Sequence, residues 1–447
     1  MVQGKPKEVT VMNSESIKEN DRYKVCVVGV GFVGLTLGVA LTVKGISVCG
    51  IEKNLQLVEN LNKGETDVLE PGLDDALSLA LSKNLFKVHA IGAPEKSLLD
   101  CNVFIITVGT PIRDRLVDLK LLSGAVDEIV PYLKNQDLVI VRSTVMVGAT
   151  RDLVLPKLMA TGLVIDLAMC PERTVEGSAL AEIELLPQII GPLNEQSSNS
   201  ASKFFSTVCN EIILVDSLEA AEVTKLVNNT YRDVMFGFSN EIARIANGFN
   251  LSARQIIQAA NQNYARSNIA LPGPSGGPCL EKDPWILIQS ASNIDISLNI
   301  AKSARLLNEE MIPEFLRLAL NGKRGISNVG ILGLSFKGNP PTRDARGSAV
   351  YDVIKFVKAE YPEVSLIGFE PAGKVAAFEE DLKQLSSVDA VVKNSDALIV
   401  LTNSNSFQHL NTIISTSGKQ NLLIIDFWSV VLKKALRPTQ SLFSWGG

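Results

Sequence analysis

"KVCVVGVGFVGLTLGVALTVKGISVCGIE", residues 24–52, leaves little freedom of fold. Its first seven residues are a short apolar run with the character of a buried parallel strand. Gly29, Gly31 and Gly34 follow as G-x-G-x-x-G, and a helical pattern then runs to Gly45. A second apolar run ends on Glu52. Strand, glycine turn, helix, strand and acid form the context of a dinucleotide-binding βαβ unit. Glycine permits the tight turn and lets a pyrophosphate approach the helix N-terminus closely. The turn residues Gly29, Val30, Gly31, Phe32, Val33 and Gly34 are therefore candidate cofactor contacts. Glu52 would accept hydrogen bonds from the adenosine ribose and repel a 2′-phosphate, which favours NAD over NADP. The alternative is a glycine-rich turn that merely packs helix on strand.

At 447 residues and 46% hydrophobic content, two to three well-cored domains are expected. A net charge of -5 and a pI near 5.4 give no basic footprint, which argues against a nucleic-acid partner. No segment approaches the roughly 20 apolar residues that span a bilayer. Residues 1–22 are polar, lack the apolar core of a secretory signal, and read as a mobile extension. Six cysteines, at 26, 49, 101, 170, 209 and 279, have neither zinc nor disulfide spacing, so no metal and a reducing cytoplasm are expected. With only His89 and His409, acid-base chemistry must lean on Cys, Lys, Asp, Glu and Thr.

Two further apolar runs end in small polar residues, one at Gly109, Thr110 and Pro111, the other at Ser143 and Thr144. In open α/β sheets that edge binds ligands, although ordinary turn chemistry would look the same. Residues 23–210 are thus assigned to the dinucleotide-binding domain. Residues 211–320 change to long helical patterns, with Lys225 and Asn229 four apart on one helix face. A solvated lysine is the alternative there. From 321 a second α/β domain runs to 447, without the glycine fingerprint. The loop "PSGGPCLEKDP", 274–284, puts Gly276 and Gly277 before Cys279, with Lys282 and Asp283 after it. A double glycine uncovers a cysteine and a nearby ammonium favours its thiolate. A small buried residue in a turn is the competing reading.

Four motifs in this order, "PERTVEGSA", "EVTKLVNN", "GGPCLEKD" and "GLSFKGNPPTRDARGS", make the chain similar to the UDP-glucose/GDP-mannose dehydrogenase family over 24 to about 430. The resemblance implies two Rossmann-like domains joined by a long central helical dimerisation segment, and hence a homodimer or larger. It implies oxidation of the C6 alcohol of a UDP-sugar to the acid with two NAD, for surface polysaccharide precursors. Cys279 matches the family nucleophile and Asp283 its acidic partner. Lys225 and Asn229 match the pair facing the reacting carbon, and Thr144 a residue near nicotinamide and water. Glu172 and Glu176 match loop glutamates bordering substrate and cofactor. Gly276, Gly277, Phe336 and Lys337 fall on substrate positions, and Lys282 and Arg346 on cofactor positions. Arg266 resembles the arginine lent to a neighbouring subunit. Phe427 and Trp428 depart from the polar pair some relatives carry after the last strand's aspartate, and Pro278 from the residue they place before the cysteine.

Alcohol to acid is a four-electron change, so the resemblance implies a covalent route. Cys279 would capture the first-formed aldehyde as a thiohemiacetal, and oxidation would give a thioester that water hydrolyses. Lys225 and Asn229 would stabilise the oxyanions. "PERTVEG" and "PGPSGG" look more like relatives acting on UDP-N-acetylhexosamines than on UDP-glucose. UDP-glucose oxidation, a two-electron β-hydroxyacid-type dehydrogenase and a non-catalytic NAD-binding scaffold are the competing functions.

Overall fold

The computed structural model describes residues 10–13, 23–92 and 96–446. The chain divides into two compact units, Met1–Asn228 with Trp285–Ile296, and Asn229–Pro284 with Ser297–Gly447.

The first unit contains strands β1 (Thr10–Asn13), β2 (Lys24–Val28), β3 (Ser47–Glu52), β4 (Phe86–Ala90) and β5 (Val103–Ile106). A small hairpin follows, β6 (Ile112–Arg113) and β7 (Leu116–Val117), then β8 (Leu138–Val141), β9 (Asp166–Met169), β10 (Gln188–Pro192) and β11 (Glu211–Leu214). Apart from the hairpin they form one sheet in the order β1-β11-β10-β9-β8-β5-β2-β3-β4. It is parallel from β4 through β9, while β10 runs against β9 and β1 against β11. Within the segment expected to be a mobile extension, Thr10–Asn13 is therefore an edge strand, and the rest of that segment lies outside the described residues. The central strands β2, β5, β8 and β9 are covered on both faces. Val25 and Val27 pack into one apolar cluster, while Cys26 and Val28 pack into another. That is the period-two alternation of a strand buried twice.

The second unit holds β12 (Asn328–Leu332), β13 (Ser365–Phe369), β14 (Lys383–Gln384), β15 (Ala397–Val400), β16 (Leu423–Asp426) and β17 (Ser441–Ser444). All are parallel, in the order β14-β13-β12-β15-β16-β17. Again the faces separate, with Ile399 and Ile425 in one cluster and Leu398 and Ile424 in the other. The helix Leu218–Gly248 is continuous for 31 residues and runs from the first unit into the second. The architecture is α/β, with two parallel-sheet Rossmann-like domains and a long central helix. Among the described residues no helix is long and apolar enough to cross a membrane.

The glycine turn shows why its residues are fixed. Gly29 has φ +88°, and a Cβ on Gly34 would lie 2.1 Å from the Gly29 carbonyl oxygen. The helix Phe32–Val43 can meet β2 this closely only without that carbon. Gly34→Ala is expected to destabilise the first unit by about 3 kcal/mol or more, because the clash is with backbone. Thermal unfolding with the wild type's midpoint would refute this.

Candidate active site

The parallel strands β2, β3, β5 and β8 end along one edge of the first sheet, where the glycine turn follows β2. The helix Phe32–Val43 starts at Gly31 with no side-chain cap and no acid in its first turn. Nothing lies within 4 Å of where a Gly31 Cβ would be. The helix thus offers uncapped N–H groups to open space, which is what an anion needs. Val30 is buried, while Phe32 and Val33 are half-buried. Glu52, at the end of β3, accepts from Val30 N at 2.9 Å through Oε2, and from Lys53 N and Asn54 N at 2.9 and 3.0 Å through Oε1. Three backbone bonds leave a carboxylate with room for one more donor. Glu52 therefore fixes the turn and still has capacity for a ribose hydroxyl.

Thr110, buried beyond β5, donates through Oγ1 to the carbonyl of Thr144. Ser143 Oγ donates to Val108 O at 2.7 Å, tying the ends of β5 and β8 together. Pro111 is half-buried at the start of the hairpin segment. The loop carrying Thr144 continues to Gly148 and Thr150, whose amides both donate to Glu222 on the long helix, at 2.6 and 2.9 Å. Lys225 follows three residues later, itself buried.

Glu172 is buried against Arg142. Arg142 donates to its Oε2 from Nε at 2.9 Å and also from Nη2. Arg173 N and Thr174 N donate to its Oε1, each at 2.7 Å. Burial alone would raise the Glu172 carboxyl, but Arg142, the Thr174 amide and the nearby Lys225 ammonium together hold it below the usual carboxylate range. All four of its acceptor positions are filled. Glu172 is thus a fixed negative charge near Lys225. Glu176 is half-buried in the same loop, which Glu70 anchors by accepting from Gly177 N and Leu180 N.

In the second unit Cys279 sits on the single turn Gly277–Leu280. It is exposed, and the other five cysteines are buried. Gly277 has φ +90°, and a Cβ there would meet the Phe336 ring at 2.4 Å. Gly277 N donates to Gly347 O at 2.8 Å, and a Gly276 Cβ would stand 2.4 Å from that oxygen. The double glycine therefore does more than uncover the thiol, since it lets the loop press on the "SFKG" and "DARGS" segments. Lys337 Nζ lies 5.4 Å over the Phe336 ring. Asn229 Nδ2 donates to Asp283 Oδ2 at 2.6 Å, and Lys282 Nζ pairs with Asp283 Oδ1 at 2.8 Å. Asp283 is fully buried and pairs with the ammonium of Lys282. Arg346 is exposed and pairs with Asp344, at 2.9 Å from Nε to Oδ2. Arg266 is exposed over the Tyr264 ring at 4.9 Å.

Trp428 anchors its indole by donating from Nε1 to Leu401 O at 2.7 Å. It lines a cavity of about 430 Å³ with Phe236, Arg254, Leu271, Asn403 and Val430, at the carboxyl ends of β15 and β16. Phe427 is wholly buried in the core. Sequence reasoning missed Arg142 and Glu222. A signal existed for Arg142: a charge directly after the wholly apolar β8 must be buried, and so must have a partner.

Family models match in chain order. The UDP-glucose/GDP-mannose dehydrogenase NAD binding domain covers 23–209, the central domain 219–310 and the UDP binding domain 330–433. The chain belongs to the UDP-glucose/GDP-mannose dehydrogenase family. It is 31% identical over 407 residues to a UDP-N-acetyl-D-mannosamine dehydrogenase of Methanococcus aeolicus, covering 89% of this chain and 88% of that one. It is 29% identical over 423 residues to an NDP-N-acetyl-D-galactosaminuronic acid dehydrogenase of Ralstonia nicotianae, covering 91% and 96%. The solved UDP-D-ManNAc dehydrogenase of Pyrococcus horikoshii superposes with TM-score 0.82 at 28% identity, over 95% and 99% of the chains. The family dehydrogenase described here is an NAD-dependent enzyme acting on a UDP-sugar. The open, uncapped helix start and the spare acceptor capacity of Glu52 fit that cofactor.

Glu52 faces the glycine turn as a carboxylate, so a 2′-phosphate beside it would be a like-charge contact in a partly desolvated place. NAD is expected to exceed NADP in kcat/KM by at least about tenfold, a difference near 1.4 kcal/mol. Steady-state kinetics with both cofactors measures this, and equal values would show that Glu52 does not set the choice.

Proposed function

We propose that this dehydrogenase oxidises the C6 alcohol of a UDP-N-acetylhexosamine to the uronic acid by a four-electron route through Cys279. The observation that carries the reading is the exposed thiol, held on a glycine turn against the Phe336–Lys337 segment while the other five cysteines are buried. When bound, NAD supplies the hydride acceptor, two per sugar, so that alcohol, two NAD and one water give carboxylate, two NADH and three protons. Residues 29–34 and Glu52 would hold it, with Thr110, Pro111, Ser143, Thr144 and Glu176 alongside.

This chain's own residues then have distinct tasks. Cys279 adds to the C6 aldehyde, forming a C–S bond and retaining the intermediate as a thiohemiacetal. After the second oxidation the sulfur carries a thioester, and water expels it as thiolate. Lys225 and Asn229, one turn apart on the long helix, supply a cation and an amide donor for oxygen charge at each tetrahedral stage. Asp283 orients the Asn229 amide by accepting from it. Glu172 contributes fixed charge near Lys225 and not a base, because its lone pairs are occupied. Phe336 and Lys337 contact the nucleotide sugar, and Lys337 suits its phosphates. The family resemblance assigns Lys282 and Arg346 to the cofactor. The N-acetylhexosamine assignment rests on the relatives' substrates and on "PERTVEG" and "PGPSGG".

The test is a panel of UDP-N-acetylhexosamines and UDP-glucose with NAD, scored for NADH per sugar consumed. Two NADH with an acetylated sugar and a lower kcat/KM for UDP-glucose are expected, whereas one NADH would indicate a two-electron enzyme. Cys279→Ala should abolish acid formation with little change in sugar-nucleotide binding. Cys279→Ser should accumulate an ester on the peptide holding residue 279, visible by mass spectrometry, because an alkoxide is the poorer leaving group. Acid formation at the normal rate by Cys279→Ala would overturn the thioester route.

The enzyme is also proposed to act as a homodimer or larger, with Arg266 lent across subunits. Val227, Tyr231, Phe238, Ile245 and Phe249 are exposed by 47, 63, 53, 60 and 73%. At about 100° per residue they make one apolar stripe along the long helix. A second copy of the same stripe would cover it. Light scattering should give a dimer or larger, and Phe238→Asp a monomer. A wild-type monomer at working concentration would refute the assignment.

A further inference from the structure

The turn that carries Cys279 has little regular structure before it, with nothing helical or extended from Gln262 to Gly276. What holds it is a buried polar network on the long helix and on the helix Asn299–Leu320. Arg305, 2% exposed, donates from Nη1 to Leu280 O at 2.9 Å and from Nη2 to Ser275 O at 3.4 Å. It grips the backbone on both sides of the cysteine. Asp233, wholly buried, accepts on Oδ1 from Arg305 Nη1 at 2.7 Å, Asn308 Nδ2 at 2.9 Å and Ser275 Oγ at 3.1 Å. Asn308 in turn accepts from Asn240, which exchanges two hydrogen bonds with Gly273, at 3.0 and 3.1 Å. Trp445 completes the set by donating from Nε1 to Asn240 Oδ1 at 3.0 Å.

The geometry is not that of an ion pair arranged for its own strength. An arginine and a carboxylate pair best through two parallel bonds. Here one oxygen of Asp233 takes every bond, while Asp233 Oδ2 and Arg305 Nε have no hydrogen-bond partner. The guanidinium is turned so that its two terminal nitrogens reach loop carbonyls. We propose that Arg305, braced by Asp233, Asn308 and Asn240, is the positioning residue for the Cys279 thiol. It does not touch the reacting atoms. It sets where the sulfur can stand, and displacement of a reacting group by about 1 Å can cost on the order of a hundredfold in rate. This rests on the reading of Cys279 as nucleophile.

Arg305→Lys keeps the charge beside Asp233, Glu281 and Asp352, and beside Glu309, whose Oε1 lies 3.6 Å from Arg305 Nε, but loses the fork. Ser275→Ala removes only the hydroxyl bond to Asp233 and cannot endanger the core, so it serves if the lysine variant does not fold. In the full-length enzyme, Arg305→Lys is expected to lower kcat by about 10- to 100-fold and Ser275→Ala by about threefold. KM for both substrates should stay within about twofold. Iodoacetamide labelling of residue 279, followed by mass spectrometry, should quicken about threefold or more in Arg305→Lys as the turn opens. Wild-type kcat and labelling in both variants would overturn the proposal. So would a loss of activity that only tracks the unfolded fraction. Cys279→Ala separates the two ideas. If it still makes acid, the nucleophile reading fails; if it is dead while Arg305→Lys and Ser275→Ala behave as wild type, only the positioning role fails.

Discussion

The helix Leu218–Gly248 buries its polar side. Glu222, Lys225, Asn229, Asp233 and Asn240 are all nearly inaccessible, and at helical spacing they fall on one face. The opposite face carries the exposed Val227, Tyr231, Phe238 and Ile245, with Phe249 just past the helix end. Buried polar groups are costly unless hydrogen-bonded, so each residue of the inner face dictates where a neighbouring segment must run. Glu222 takes the amides of Gly148 and Thr150, Asn229 takes Asp283, Asp233 takes Ser275 and Arg305, and Asn240 takes Gly273. Loops that have no periodic structure of their own are thereby located by the helix.

The same burial separates the carboxylates by task. Burial dominates at Glu222 and Asp233 and pushes both up, although each accepts several hydrogen bonds. At Glu172 burial acts the same way, yet Arg142, the loop amide and Lys225 outweigh it and hold the acid down. The difference is a guanidinium bonded through both Nε and Nη2 at Glu172, against backbone amides at Glu222 and single-point contact at Asp233. Glu172 stays a fixed anion, and on the proposed route it is a steady counter-charge for Lys225. If the proposed thioester route holds, a proton acceptor for its hydrolysis must be sought elsewhere, among Asp283, Thr144 and water.

Much of this was legible in the sequence, and the reasons are local. Gly29, Gly31, Gly34 and Glu52 announce the βαβ unit because a turn and a helix start involve only near neighbours. Long helical patterns were expected within 211–320, and the helix Leu218–Gly248 lies there because apolar periodicity needs no partner to be read. The cysteine turn was legible through its glycines, although the reason for the second one, the Phe336 ring against Gly277, lies nearly sixty residues away in sequence. What could not be read were partnerships set by tertiary distance. Trp445 binds Asn240 across 205 residues, Arg142 finds Glu172 across 30, and Thr10–Asn13 pairs with β11 although its sequence reads as polar tail. The pairing of Lys282 with Asp283, its immediate neighbour, was likewise not read from the sequence.

The two faces of the long helix also bear on each other. Tyr231 and Phe238, on the outer face, are close in sequence to Asn229, Asp233 and Asn240 on the inner one, and an α-helix is stiff along its hydrogen-bonded axis. On the dimer reading, a partner packed against the outer stripe restrains the backbone from which Asn229 and Asp233 project. A helix left with that much apolar surface in water would gain by bending or fraying to cover it. Either motion would shift Asn229 against Asp283, and Asp233 against Ser275. On that reading, association and the placing of the thiol are linked through one segment, whose inner side chains are polar and whose outer ones are apolar.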